Sequence, residues 1–181
     1  MNTNIKFAKV RRDAIIPSKL DEDMGFDVYA CFDEDYIVIE PGVTKLIPTG
    51  IASACSTDYG FVLRERGSTG SKGIALRAGV IDSGYRNEWF VGLTNTTNEW
   101  LIISKVDTDY IIQKETKELD EVMTDYIGRC VRDALIYPYS KAIAQALVVP
   151  VPKVEVEEVP YEELKNIKSK RGMGALGSSN K

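Results

Sequence analysis

From about residue 5 to residue 98 the chain is a succession of short runs rich in β-branched and aromatic residues, each cut off by turn chemistry. Residues 26–31, 36–40 and 43–47 are such runs, and Glu40, Pro41, Gly42, Pro48 and Gly50 punctuate them. Residues 59–65, 74–77, 89–94 and 100–103 continue the pattern, and 143–149 repeats it later. Many short strands with frequent turns predict a mostly β domain, an antiparallel sandwich or barrel. At 181 residues the chain has room for one domain with a real core and is too short for two.

One segment breaks the two-residue period. Leu119, Val122, Met123, Tyr126, Ile127, Cys130, Val131 and Ala134 recur at three- and four-residue steps, which predicts one stripe of a helix buried against the sheet. Glu115, Glu118, Asp120 and Glu121 lie early and Arg129 and Arg132 late, the order the helix dipole favours. Tyr137 and Pro138 are expected to end it, because proline disfavours a helical residue before it. After a Pro-spaced acidic run from 151 to 163, residues 169–181 combine glycines, hydroxyls and cations that build no core. They read as a mobile C-terminal arm on a single domain of residues 1–168.

Composition narrows the chemistry. Apolar residues make up 44% and charged residues 28%, a globular balance, and the net charge of −4 argues against a general nucleic-acid binder. There is no histidine, which excludes Ser-His and Cys-His catalysis and histidine-ligated metals. Cys31, Cys55 and Cys130 are too scattered for a disulfide framework or a zinc site, so a reducing, cytoplasmic setting is expected. Residues 1–7 lack the apolar run of a signal peptide, and no stretch nears the roughly 18 apolar residues of a membrane span.

Four segments carry more chemistry than loops need. Asp23-Met-Gly-Phe-Asp27 sets carboxylates and a glycine at a strand start. Arg64-Glu-Arg-Gly-Ser-Thr-Gly-Ser-Lys72 crowds cations, hydroxyls and glycines into one turn. Those groups suit a phosphate chain, although the spacing is not that of a P-loop and a polar hairpin would look alike. Gly79-Val-Ile-Asp-Ser-Gly-Tyr-Arg86 reads as a hairpin whose Asp82 either forms the turn or activates a water, with Tyr85 offering a flat face. Gln145 is an amide inside an apolar strand, and a buried amide without a partner costs about 1–3 kcal/mol.

Together and in this order these segments, with Arg171-Gly-Met-Gly-Ala-Leu-Gly-Ser-Ser179, resemble the five motifs of the trimeric dUTPases. The form Glu65-Arg-Gly-Ser-Thr-Gly is most similar to phage and prophage members. The resemblance implies a dUTPase-like β-barrel or jelly-roll-like subunit, a homotrimer with active sites at subunit boundaries, and Mg2+-dependent hydrolysis of dUTP to dUMP and pyrophosphate. By motif match, Asp27 binds the metal through water; Arg66, Gly67, Ser68 and Gln145 hold the phosphates; Asp82 positions the attacking water. Gly79, Ile81 and Tyr85 receive the deoxyuridine, while Arg171, Leu176, Gly177, Ser178 and Ser179 close over the substrate.

The chain departs from the family pattern in several places. Leu176 stands where the arm usually carries a stacking Phe, and Gly67 where many members have Ser. Ala142 occupies the usual Arg position, with Lys141 next to it as the expected substitute. The interval between Tyr85 and Gln145 is long, which implies an insertion at about 107–139 holding the helix and offering a surface to a regulatory protein. Two rivals share the fold: an interaction protein acting through that insertion, and a dCTP deaminase, whose proton-shuttling Glu is replaced here by Gly92.

Overall fold

The computed structural model describes residues 4–170 and 172. Contacts divide the chain into a unit of residues 1–151 and a second of residues 152–181. The strands of the first unit are β1 (Lys6–Lys9), β2 (Phe26–Tyr29), β3 (Tyr36–Ile39), β4 (Thr44–Pro48), β5 (Ile51–Ala54) and β6 (Tyr59–Arg64). A helical turn α1 (Gly67–Gly70) precedes β7 (Ile74–Arg77), β8 (Val80–Ile81), β9 (Phe90–Asn95) and β10 (Leu101–Ser104). Helices α2 (Thr108–Thr116) and α3 (Glu121–Asp133) then lead into β11 (Leu135–Pro138) and β12 (Ala142–Pro150). The second unit contains a short helix α4 (Tyr161–Asn166), all of it exposed.

The strands form sheets β1-β5, β11-β10-β3, β2-β12-β6-β8 and β4-β9-β7. All pairings between these strands are antiparallel except β10 with β11. Trp89 is fully buried and meets Phe7 and Phe61 edge-on at 5.6 and 4.9 Å between ring centres. Ile39, Ile47, Leu63, Leu101, Ile103 and Ile143 pack in the same core. This agrees with the mostly β, antiparallel reading.

The segment 107–139 is richer than a single helix. Asp107 and Asp120 cap α2 and α3 by accepting the N–H groups of Tyr110 and Met123 at 2.8 and 2.9 Å. The pair lies on the outer face of β11-β10-β3, where Ile102, Ile111 and Val131 are fully buried in a second core joined by Val38, Ile127, Ala134 and Ile136. Alternation along β10 explains it: Leu101 and Ile103 face the main core and Ile102 faces the helices. The expected buried stripe is therefore only half buried. Leu119, Val122, Met123 and Tyr126 are exposed, while Val131 is fully buried and Ile127 and Ala134 pack partly buried against the second core. The helix also ends earlier than Tyr137, which belongs to β11 instead.

Candidate functional site

A polar cleft of about 340 Å³ is lined by Asp23, Met24, Gly25, Asp27, Arg66, Gly67, Ser68 and Gln145. Strand register builds it. Gln145 on β12 pairs with Asp27 on β2 and with Arg64 on β6, so these three residues share one row across the sheet. Ala144 and Ala146 on either side of Gln145 are fully buried, so the amide faces away from the core into the cleft. Its Nε2 donates to the Glu65 carbonyl at 2.7 Å, which answers the satisfaction problem posed by an amide in an apolar strand.

Arg66 follows β6 and opens α1. The Thr69 hydroxyl accepts the Arg66 N–H and donates to its carbonyl, both at 3.0 Å, locking the turn. The crowded segment is thus a helical turn, not a hairpin, because Thr69, buried at its base, bonds back to Arg66. The Arg66 guanidinium meets Asp27 in two contacts, Nε to Oδ1 at 2.9 Å and Nη2 to Oδ2 at 3.1 Å. Such a fork-to-carboxylate pair fixes both side chains, and each remains about a third exposed, at 31% and 33%. The cleft accordingly holds a pre-oriented cation beside a carboxylate. Gly67 and Ser68 both line the cleft, and a Cβ at 67 would meet nothing within 4 Å, so a serine would fit there too. Lys141 is exposed and is not among the lining residues; Ala142 contributes its carbonyl, which accepts from Arg66 at 3.4 Å.

The segment around Asp82 lies elsewhere. The Asp82 carbonyl accepts the Tyr85 N–H at 3.0 Å, closing a turn, and the Tyr85 hydroxyl donates to the Glu88 carbonyl at 3.0 Å. It is not a hairpin of paired strands: β8 pairs with β6, whereas β9 pairs with β4 and β7, so the turn passes between sheets. Ile81 sits opposite Phe61 with its side chain in the main core, leaving only its backbone for a ligand. Gly79 has φ +110°, and a Cβ there would stand 3.0 Å from the Leu63 carbonyl oxygen, so only glycine suits the approach. From Phe61 to Arg66 the chain runs five residues, so Asp82 and Arg66 of one chain are separated by on the order of 20 Å. Arg171, Leu176, Gly177, Ser178 and Ser179 lie outside the described residues.

A larger cavity of about 500 Å³ at α3 is lined by Glu40, Glu99, Trp100, Tyr126, Arg129 and Asp133 among others. Its excess of carboxylates suits no anionic ligand.

The comparisons decide what this geometry belongs to. A dUTPase family model matches residues 12–109. The chain is 32% identical over 181 residues to the deoxyuridine 5′-triphosphate nucleotidohydrolase of Nautilia profundicola, covering 98% of this chain and 99% of that one.

The chain belongs to the dUTPase family.

A relative from Clostridioides difficile with the same name is 30% identical, with 97% of each chain covered. Among solved structures, a mutant of the Staphylococcus bacteriophage 80alpha dUTPase with dUpNHpp superposes with a TM-score of 0.68 at 20% identity, covering 97% and 98% of the two chains. The dUTPase from phage phi11 of S. aureus, described for its species-specific insert, gives 0.60 at 18% identity, covering 86% and 96%. These matches agree with the dUTPase-like fold read from the sequence. The deaminase alternative finds no footing at position 92. Gly92 lies on β9 where it pairs with β7, and a Cβ there would be 2.8 Å from the Arg77 carbonyl oxygen, leaving no space for a glutamate.

Proposed function

We infer that the chain hydrolyses dUTP to dUMP and pyrophosphate by water attack at the α-phosphorus, lowering dUTP and supplying dUMP for thymidylate synthesis. The observation that carries the reading is the Arg66–Asp27 pair beside Ser68 and Gln145, in a chain of the dUTPase family. Phosphoryl transfer asks the protein for alignment and charge neutralisation more than covalent chemistry, and a chain without histidine supplies both.

In this reading Arg66, Gly67, Ser68 and Gln145 hold the phosphates, and the arriving triphosphate takes over guanidinium donors now engaged by Asp27. Asp27 and Asp23 are the carboxylates of the cleft, and no group of three or more metal-ligating side chains exists among the described residues. That donor set fits Mg2+, which keeps waters and takes most of its other ligands from substrate phosphates. Asp27 would hold the ion through water, and the bound ion would neutralise phosphate charge. Asp82 orients and deprotonates the water, Tyr85 lies under the deoxyribose, and the backbone at Gly79 and Ile81 reads the uracil edge. The arm residues Arg171, Leu176, Gly177, Ser178 and Ser179 close over the substrate and exclude water.

Because Asp82 and Arg66 of one chain are so far apart, a complete site takes the phosphate cleft of one subunit and the Asp82 turn of another. This supports the homotrimer with sites at subunit boundaries. A cytoplasmic setting follows from the substrate, and no described helix is long and apolar enough to cross a membrane.

Pyrophosphate release measured with dUTP, dTTP, dCTP and UTP tests the function. Release from dUTP with Mg2+ and little from the others is expected; no release from dUTP, or equal release from dTTP, refutes it. A second role for the insertion is favoured by one feature: Val122, Met123 and Tyr126 on α3, and Leu119 just before it, are exposed. We assign that face to a regulatory protein partner, and deletion of the insertion with no partner lost in a pull-down refutes the assignment.

A further inference from the structure

The residue just before Arg66 carries a charge that a phosphate site has reason to avoid. Glu65 places a carboxylate next to the cation that would meet a triphosphate, and its side chain is only 29% exposed. Its contacts account for it. Oε1 accepts the Leu76 N–H at 2.9 Å, and Oε2 lies 3.6 Å from Arg64 Nε. The Leu76 and Glu65 backbone N–H groups, with Arg64 and Arg77 nearby, hold the carboxyl below its usual range. The Glu65 carbonyl meanwhile accepts the Gln145 amide at 2.7 Å. Its Cβ packs 3.3 Å from where a Cβ on Gly70 would stand, closing α1 against it.

These contacts join elements that no strand ladder joins. β6 pairs with β12 and β8, and β7 pairs with β9 in a different sheet. The Glu65 carboxylate ties the end of β6 to β7 at the point where the chain turns into Arg66. From the assigned dUTP reaction, on which this step rests, we propose that Glu65 is a positioning residue for the phosphate half of the site. Its side chain anchors the Arg66 turn to Leu76, and its carbonyl aims Gln145 into the cleft. What the position needs is an acceptor of this length, not a negative charge.

Three variants separate those requirements. Glu65→Ala removes the acceptor, Glu65→Asp keeps the charge but falls short of the Leu76 N–H, and Glu65→Gln keeps the acceptor and the length without the charge. Steady-state kinetics on dUTP with Mg2+, beside inhibition by deoxyuridine, are the measurements. Glu65→Ala and Glu65→Asp are expected to lose about ten- to a hundredfold in kcat/KM. Glu65→Gln is expected within about threefold of the parent, and deoxyuridine inhibition is expected unchanged in all three, because the Asp82 turn lies elsewhere. Should Glu65→Ala fail to fold, the contrast between Glu65→Asp and Glu65→Gln decides the matter. Equal losses in those two variants, a Glu65→Asp enzyme like the parent, or deoxyuridine inhibition lost in parallel overturns the proposal. Parent turnover of dUTP is recorded first in the same assay, so failure of the assigned reaction is told apart from failure of the role given to Glu65.

Discussion

The separation of Asp82 from Arg66 makes a prediction that single substitutions miss. Ile81 is opposite Phe61 on β6, and Arg66 lies beyond the far end of that strand, which sets the two groups on the order of 20 Å apart in one chain. A general base acts only within about 2.6–3.2 Å of the proton it takes, or through one water. Asp82→Asn should keep dUTP binding and lose about a hundredfold or more in kcat, because the amide accepts no proton. Arg66→Ala should lose phosphate binding and leave Asp27 without its partner. Each variant alone is then nearly inactive. Refolded together into mixed assemblies, each site of the proposed trimer would draw its Asp82 from one chain and its Arg66 from another. Each half is intact half of the time, so about one site in four works. Pyrophosphate release from the mixture should therefore recover to about a quarter of the parent rate. The same proteins mixed without refolding serve as the control. Mixed assemblies as inactive as their parents would mean that both residues serve one site within a chain, and the shared-site reasoning would fall.

Other consequences follow from the packing. Ile111→Ala removes a fully buried side chain from the second core and should cost about 2–5 kcal/mol in urea unfolding, with the KM for dUTP unchanged in the surviving native protein. Gly92→Ala forces a Cβ to 2.8 Å from the Arg77 carbonyl, so β9 must shift, and thermal unfolding should register a loss of about 1–3 kcal/mol. Acidification should also weaken the fold. Asp35 is held below the usual carboxylate range by its hydrogen bonds from Lys114 and Tyr110, and Glu65 by the backbone N–H of Leu76. For such groups the stabilisation is present above the unfolded-state value near about pH 4 and is lost as pH falls through the lower folded value. The melting temperature should fall between about pH 5 and pH 3, and Asp35→Asn should flatten part of that slope; an unchanged slope would remove Asp35 from the account.

Much of the β framework was legible because its strands follow local rules. Residues 26–29, 36–39, 59–64 and 74–77 alternate or run apolar between Gly and Pro turns, and each forms a strand where expected. β11 escaped notice because a four-residue apolar run following a helical stripe has no period of its own. α2 carries Tyr110, Ile111 and Ile112 in one short cluster, of which only Ile111 is fully buried, so its sequence shows little amphipathic pattern. Glu65 gave no signal either. It is one charge among several in a polar turn, and its value depends on Leu76, eleven residues on, which only the folded chain brings within hydrogen-bond distance.

The sequence alone determined which chemistry was available: carboxylate, guanidinium, amide and backbone N–H, with no histidine, in an order that marks the family. It also determined that the core would be built from short strands, since side-chain shape and turn residues act within a few positions of the chain. Tertiary structure decided who meets whom. Strand register put Asp27, Gln145 and Arg64 in one row and let Arg66 reach Asp27, while the same register carried Asp82 to the other end of β6. Pairing between strands far apart in sequence is a property of the whole hydrogen-bonded sheet, and no local stretch of residues encodes it.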